Sequence, residues 1–291
     1  MRVAAIQTTA GDDRAANFSA AESLVEEAAA AGAGLIVLPE YFSVAGTPEV
    51  LRAQAEPLRG PTVTWASSLA SRLSIHLVAG SFPERGRGAD KRLSNTSCLI
   101  GPDGALLAAY RKIHLFDVAL RGIASRESDT IAPGDETCVV PLDQRGADET
   151  GTGVVLGLTL CYDVRFPELY RMLALAGATV VTVPAAFTDT TGPAHWELLL
   201  RARAVEDQVF VIGAGQVGEL PRGMPRCHGH SMVVDPWGTV LAERTDPDPG
   251  IVVADLDMAG QSDLRARLPV LSNRRPGAYR GLHGNDGGTR V

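Results

Sequence analysis

Short β-branched apolar runs alternate with longer helical patterns along almost the whole of this chain. That alternation is its tightest constraint, because strand–helix alternation builds layered sheets covered by helices. The runs at Arg2–Gln7, Gly34–Leu38, His76–Phe82, Val154–Leu160, Ala178–Pro184 and Val209–Gln216 read as strands. Between them, helices are expected over Arg14–Ala31, closed by Gly32, over Thr62–Leu73, from Pro167-Glu168 onward, and over Pro193–Gln208. Ser97–Ile100 and Leu106–Tyr110 form an expected hairpin at Pro102-Asp103-Gly104, and Ser231–Val234 with Thr239–Glu243 another at Pro236-Trp237-Gly238. Gly250–Leu256 adds a strand and Asp257–Leu268 a short helix. Three stretches carry little period: the polar tip Arg85–Arg92, the connection Ile113–Asp135 and the polar loop Asp143–Gly153. Loops as long as the second are functional or disordered when they occur in a compact domain. No linker divides the chain, so residues 1–280 read as one α/β domain and 281–291 as a Gly/Arg-rich tail.

Composition serves mainly to exclude. With 45% hydrophobic residues and mixed charges the chain reads as an ordinary soluble globular protein. A net charge of -7 and a pI near 5.4 give no electrostatic case for nucleic acid or an anionic membrane surface. No apolar run approaches the roughly 20 residues that span a bilayer, and the N-terminus runs straight into a strand pattern, so no signal peptide is expected. Cys98, Cys138, Cys161 and Cys227 show no pairing pattern, which suits a reducing cytoplasm.

Three stretches concentrate chemistry-bearing residues. In Gly153–Arg171 a buried-strand run ends at Cys161, followed by Tyr162, Asp163 and Arg165 before the helix opens at Pro167. A thiol on a strand-to-helix turn sits where α/β folds hold reactive groups, although a packed core cysteine fits the same run. Gly34–Glu40, GLIVLPE, ends in a carboxylate flanked by Tyr41 and Phe42, neighbours that favour proton transfer by raising its pKa; a strand-end surface carboxylate is the alternative. Tyr110–Asp117, YRKIHLFD, carries Lys112, one of only two lysines in a chain that otherwise uses arginine. A compact, tunable ammonium beside aromatics is one reading, and a solvated side chain the other.

Together these stretches resemble the Glu–Lys–Cys motifs of the nitrilase superfamily of carbon–nitrogen hydrolases, in order and in approximate spacing. GPAHWELLLRARAVE (Gly192–Glu206), GHSMVVDPWG (Gly229–Gly238) and LPVLSNRRPGAY (Leu268–Tyr279) are similar to the branch of ω-amidases and deaminated-glutathione amidases. The resemblance implies a four-layer α-β-β-α sandwich, usually dimerised across the helices after the nucleophile. It implies Cys161 as nucleophile, Glu40 as general base, and Lys112 with the Tyr162 N–H as oxyanion donors. Glu127, in RESDTIAPGD, would orient Lys112 and the substrate nitrogen. Tyr41, Tyr162, Arg165, Phe187 and His195 would line the substrate pocket, with Glu197 near His195 and an Arg165–Glu168 ion pair bracing the turn.

The expected reaction is hydrolysis of a small carboxylate-bearing amide through a cysteine thioester, releasing ammonia and an acid. A nitrilase, an N-carbamoyl hydrolase or a non-catalytic binding member remain alternatives. The expected substrate is an α-keto acid ω-amide, its carboxylate met by one of Arg165, Arg171, Arg201 and Arg203. No cofactor is expected. Cys227-His228-Gly229-His230 lacks a second ligand pair, so no metal is expected either. His228, where an aromatic residue commonly precedes Gly-His-Ser, and the loop Glu219–Arg226 depart from the family pattern.

Overall fold

A computed structural model of the chain describes residues 1–86, 90–120, 123–142, 153–221 and 224–278. Its first half runs β1 (Arg2–Gln7), α1 (Arg14–Ala30), β2 (Leu35–Val37), α2 (Pro48–Ala53), α3 (Pro61–Leu73), β3 (His76–Glu84), β4 (Ser94–Ile100) and β5 (Leu106–Arg111). A hairpin of β6 (Asp117–Leu120) and β7 (Ile123–Arg126) follows. The second half runs β8 (Cys138–Pro141), β9 (Val155–Leu158), α4 (Pro167–Leu175), β10 (Val180–Ala185), α5 (Gly192–Asp207) and β11 (Phe210–Gly215). It closes with β12 (Val217–Gly218), β13 (Cys227–His228), β14 (Met232–Val234), β15 (Val240–Glu243), β16 (Gly250–Asp255) and α6 (Met258–Arg267).

Two six-stranded sheets result, ordered β16-β1-β2-β3-β4-β5 and β15-β14-β11-β10-β9-β8. Each has a parallel centre, β1-β2-β3 or β9-β10-β11, flanked by antiparallel strands. The strand alternation decides the layering, because successive side chains point to opposite faces. Val3, Ala5, Leu35 and Val37 pack against Leu156, Leu158, Val180 and Ile212 of the other sheet. Their neighbours Ala4, Ile6, Ile36 and Leu38 turn outward onto Ala21 and Val25 of α1 and Val63 and Leu69 of α3. In the second sheet Val181, Val183 and Val211 turn outward onto Leu173 of α4 and Trp196 and Leu200 of α5. Strands buried on both faces read as continuous apolar runs, and the product is a four-layer α-β-β-α sandwich.

Several elements differ from the sequence expectation. β9 ends at Leu158, two residues short of the apolar run, because the Leu160 N–H turns to the Asp163 carboxylate at 2.9 Å. The aperiodic connection 113–135 contains the β6–β7 hairpin and a 3-10 turn at Glu127–Asp129. In β6, three of the four residues are exposed and none is buried, so no in–out alternation marks it as a strand. Helix α2 buries only Leu51, too little for a helical period to show. Strand β8 pairs antiparallel with β9 and was likewise unmarked. The central part of the Arg85–Arg92 tip, nearly all of the Asp143–Gly153 loop, Tyr279 and the tail lie outside the described residues.

Candidate active site

Three strand ends converge at one end of the sandwich. Glu40 follows β2, and the next residue, Tyr41, takes φ 55°. Its N–H donates to Ser81 Oγ at 2.9 Å, while Gln216 Nε2 donates to the Glu40 carbonyl at 3.0 Å. Gly80 of β3 passes so close that a Cβ there would stand 1.9 Å from the Pro39 carbonyl oxygen, so only glycine lets β3 support this turn. Lys112 directly follows β5, its N–H donating to the Asn95 carbonyl of β4 at 2.9 Å. Cys161 follows β9 with φ 43° and opens a 3-10 turn, Cys161–Arg165, that leads into α4. A non-glycine residue at positive φ costs energy and persists only where its surroundings hold it.

Asp163 supplies that hold. Fully buried, its Oδ2 accepts from Leu160 N at 2.9 Å and Tyr110 Oη at 2.7 Å. Its Oδ1 accepts from His114 N at 3.1 Å and lies 2.8 Å from His114 Nδ1. His114 stacks on Phe166 with ring centroids 3.6 Å apart, and Arg203 Nε donates to the Val164 carbonyl at 3.0 Å. The turn is thus pinned at Leu160, Asp163, Val164 and Phe166.

Glu40 and Lys112 are each 2% exposed and Cys161 8%. Lys112 Nζ donates to Glu40 Oε1 at 3.0 Å and to Glu127 Oε2 and Oε1 at 2.8 and 3.1 Å. Glu127 Oε2 also accepts from Phe116 N at 2.7 Å. The other Glu40 oxygen, Oε2, accepts from Ala186 N at 2.9 Å, just past β10. The Cys161 thiol lies within electrostatic reach of the Glu40 carboxylate. Burial pulls the Lys112 ammonium down, but the charges of Glu127 and Glu40 outweigh it and hold it well above the usual lysine value. Burial and then Glu40 push the Cys161 thiol well above its usual range, against the smaller pull of Lys112. The resting group is therefore a thiol near a carboxylate, not a free thiolate.

A cavity of about 520 Å³ opens onto this set. Glu40, Lys112, Glu127 and Cys161 line it together with Tyr41, Tyr162, Arg165 and Phe187. His195 is not in its wall; its Nδ1 stands 3.2 Å from Arg165 Nη1, behind the guanidinium. Arg165 lies between aromatic faces, 5.1 Å from the Phe187 centroid and 5.7 Å from that of Tyr162. It forms no ion pair with Glu168, which is exposed, because it turns into the cavity toward His195 instead. Glu197 is exposed and pairs with Arg201 at 3.0 Å, away from the cavity. Of the four candidate arginines, Arg171 pairs with Asp207 and Arg203 with Glu206, so only Arg165 faces the pocket. Asn95, Asp163 and the Ala186 N–H were not singled out from sequence. The first gave no signal of its own, being one of four polar residues, Ser94 to Ser97, that open a fully buried strand.

His228 and His230 stack with centroids 4.2 Å apart, their Nδ1 atoms 3.6 Å from Asp189 and 2.6 Å from Glu243. Among the described residues no group of three or more His, Cys, Asp or Glu is placed to hold a metal ion, and no helix is long and apolar enough to cross a membrane.

The carbon–nitrogen hydrolase family profile matches residues 2–266. Deaminated glutathione amidase from Mus musculus is 43% identical over 284 residues, covering 96% of this chain and 85% of its own. Omega-amidase from Homo sapiens is 39% identical over 281 residues, covering 96% of both chains. A variant of an amidase from Nesterenkonia sp. AN1, solved with the acetamide moiety of fluoroacetamide added covalently at its active-site cysteine, superposes with a TM-score of 0.78. It is 30% identical and covers 97% of this chain and 96% of that one.

Proposed function

The chain belongs to the carbon–nitrogen hydrolase family, in the nitrilase superfamily, and on that premise we propose that it is an amidase for small ω-amides bearing a carboxylate. The observation that carries this reading is the Cys161 thiol on its held turn, lining one cavity with Glu40, with Lys112 bonded to that carboxylate and Arg165 facing the same space. An amide is a poor electrophile whose nitrogen leaves only when protonated, so covalent catalysis divides one hard step into two easier ones. Cys161 Sγ attacks the carbonyl carbon as its proton passes to Glu40. Glu40 then returns that proton to the nitrogen, which departs as ammonia from a primary amide or as an amine from a substituted one. Water, deprotonated by Glu40, attacks the thioester, and the acid leaves as the thiol re-forms. Through both steps Lys112 Nζ and the Tyr162 N–H, at the start of the 3-10 turn, stabilise the oxyanion.

Arg165 binds the substrate carboxylate. A guanidinium between aromatic faces is held rigid and offers its donors as a fork. The relatives' names suit such a ligand, an acid with a second, amidated end. Exposed Met172 on α4 and Leu198 and Val205 on α5 support a homodimer across those helices. The four free cysteines suit a cytoplasmic enzyme.

The test follows formation of the acid from 2-oxoglutaramate, from deaminated glutathione and from a neutral amide of similar size. The carboxylate-bearing amides are expected to have the higher kcat/KM. A higher value for the neutral amide overturns the Arg165 assignment, and a higher value for a simple nitrile overturns the amidase reading.

A further inference from the structure

One polar side chain touches both carboxylates yet stands outside the cavity wall. Asn95, fully buried on β4, donates from Nδ2 to Glu40 Oε1 at 2.9 Å and to Glu127 Oε1 at 3.4 Å. Only the amide nitrogen can face two carboxylate oxygens, so its orientation is fixed by its neighbours. The Asn95 backbone carbonyl accepts the Lys112 N–H, which makes the two residues cross-strand neighbours serving the same pair of acids.

Counting donors shows what this arrangement does. An ammonium has three hydrogens. Two are committed at Lys112 by the contacts to Glu40 Oε1 at 3.0 Å and Glu127 Oε2 at 2.8 Å. Glu127 Oε1, at 3.1 Å, lies too close in direction to Oε2 for a separate hydrogen, so it shares that one and takes a donor of its own from Asn95. The third hydrogen is left for an oxyanion forming on the substrate. Without Asn95 a largely buried carboxylate oxygen would lack its own donor and draw that hydrogen to itself.

We propose that Asn95 is a positioning residue that keeps Glu127 Oε1 satisfied so that Lys112 keeps its third hydrogen for the oxyanion. This rests on the roles assigned above to Lys112 and Glu40. The carboxamide acts as a stand-in donor. Because it never touches substrate, its contribution falls in kcat and not in KM. The charged and titratable groups facing it are Glu40 after β2, Lys112 after β5 and Glu127 after β7, with Cys161 beyond Glu40.

The test compares Asn95→Asp, which keeps the shape and removes the donor, with Asn95→Ala. Misplacing a catalytic group slightly costs on the order of a hundredfold, so kcat for the best amide is expected to fall about that much in Asn95→Asp and at least about tenfold in Asn95→Ala, with KM within about threefold. A third carboxylate disfavours the charged form of the other two, so in Asn95→Asp the acid-side midpoint of kcat/KM against pH is expected to move up by about one unit. Alkylation of Cys161 by iodoacetamide, followed by peptide mass against pH, is expected to show its midpoint moving the same way. That arm needs no turnover, so it separates a failure here from a failure of the amidase reading, which wild-type inactivity on every amide would reveal. Should Asn95→Asp not fold, Asn95→Ala carries the kcat test. Wild-type kcat in either folded variant overturns the proposal, and so does a fall in kcat in Asn95→Asp with both midpoints unmoved, which marks a packing role.

Discussion

A thiol that rests protonated cannot attack until something takes its proton, and at Cys161 the carboxylate whose charge weighs on the thiol is that of Glu40. Glu40→Gln keeps the shape and removes the base, so kcat is expected to fall at least about 100-fold. Lys112→Met removes an oxyanion donor and is expected to cost about as much or more. Because the two share one hydrogen bond, the double variant is expected to lose far less than the product of the singles. Steady-state kinetics on the four proteins of that cycle check this, and multiplicative losses would mean the pair does not act as a unit. Cys161→Ala is expected to abolish turnover with the fold intact, and acylation of the wild type by a slow substrate to appear on that residue by mass spectrometry. Arg165→Lys keeps charge but loses the fork; a charge-assisted hydrogen bond is worth about 1.5–3 kcal/mol, so kcat/KM for carboxylate-bearing amides is expected to fall about tenfold or more while that of a neutral amide stays put.

Two strand ends carry the proposed base and nucleophile on the same device, a residue at positive φ after an apolar parallel strand, Tyr41 beside Glu40 and Cys161 itself. The device on the second sheet depends on Asp163. Asp163→Asn replaces an acceptor with a donor against Leu160 N and Tyr110 Oη, or against His114, and is expected to destabilise the fold by about 3 kcal/mol. A urea midpoint matching the wild type would show that the turn holds itself. These strands were legible in the sequence because they are buried on both faces and read as unbroken apolar runs, and the residues closing them stood out as polar. The β6–β7 hairpin was not legible, since its exposed residues carry no alternation, yet it brings Arg126 and Glu127 to the cavity. Nor could spacing say which arginine faces the ligand. Arg171 and Arg203 carry the same charge as Arg165; the packing of α4 on α5 gives Arg171 its partner Asp207, whereas Arg203 takes Glu206 one turn along its own helix. Asn95 escaped for a related reason, because a polar residue within a strand gives no sign of which polar groups other strands will bring to it.

Across the whole molecule, helices α4 and α5 show two faces. Inward they seal the second sheet, and outward they expose Met172, Leu198 and Val205. If that outer face is the proposed dimer interface, Leu198→Glu is expected to shift the mass seen by light scattering from dimer to monomer. Asp207, at the end of α5 and 1% exposed, is pushed by burial up to about 6 against the pull of Arg171 at 3.1 Å. A carboxyl that binds its proton more tightly when folded favours the fold at low pH and loses that contribution as pH rises. Stability is therefore expected to fall by up to about 3 kcal/mol between about pH 4 and pH 6 through this group, and Asp207→Asn to flatten that slope in urea titrations. The reacting groups are divided between the two sheets: Glu40 and Lys112 end strands of the first, while Cys161 and the Ala186 N–H end strands of the second. Neither half of a newly made chain holds Glu40 and Lys112 together with the Cys161 thiol. A chain whose halves have formed but not yet closed on one another is chemically silent, and activity regained during refolding times the closure of one sheet on the other.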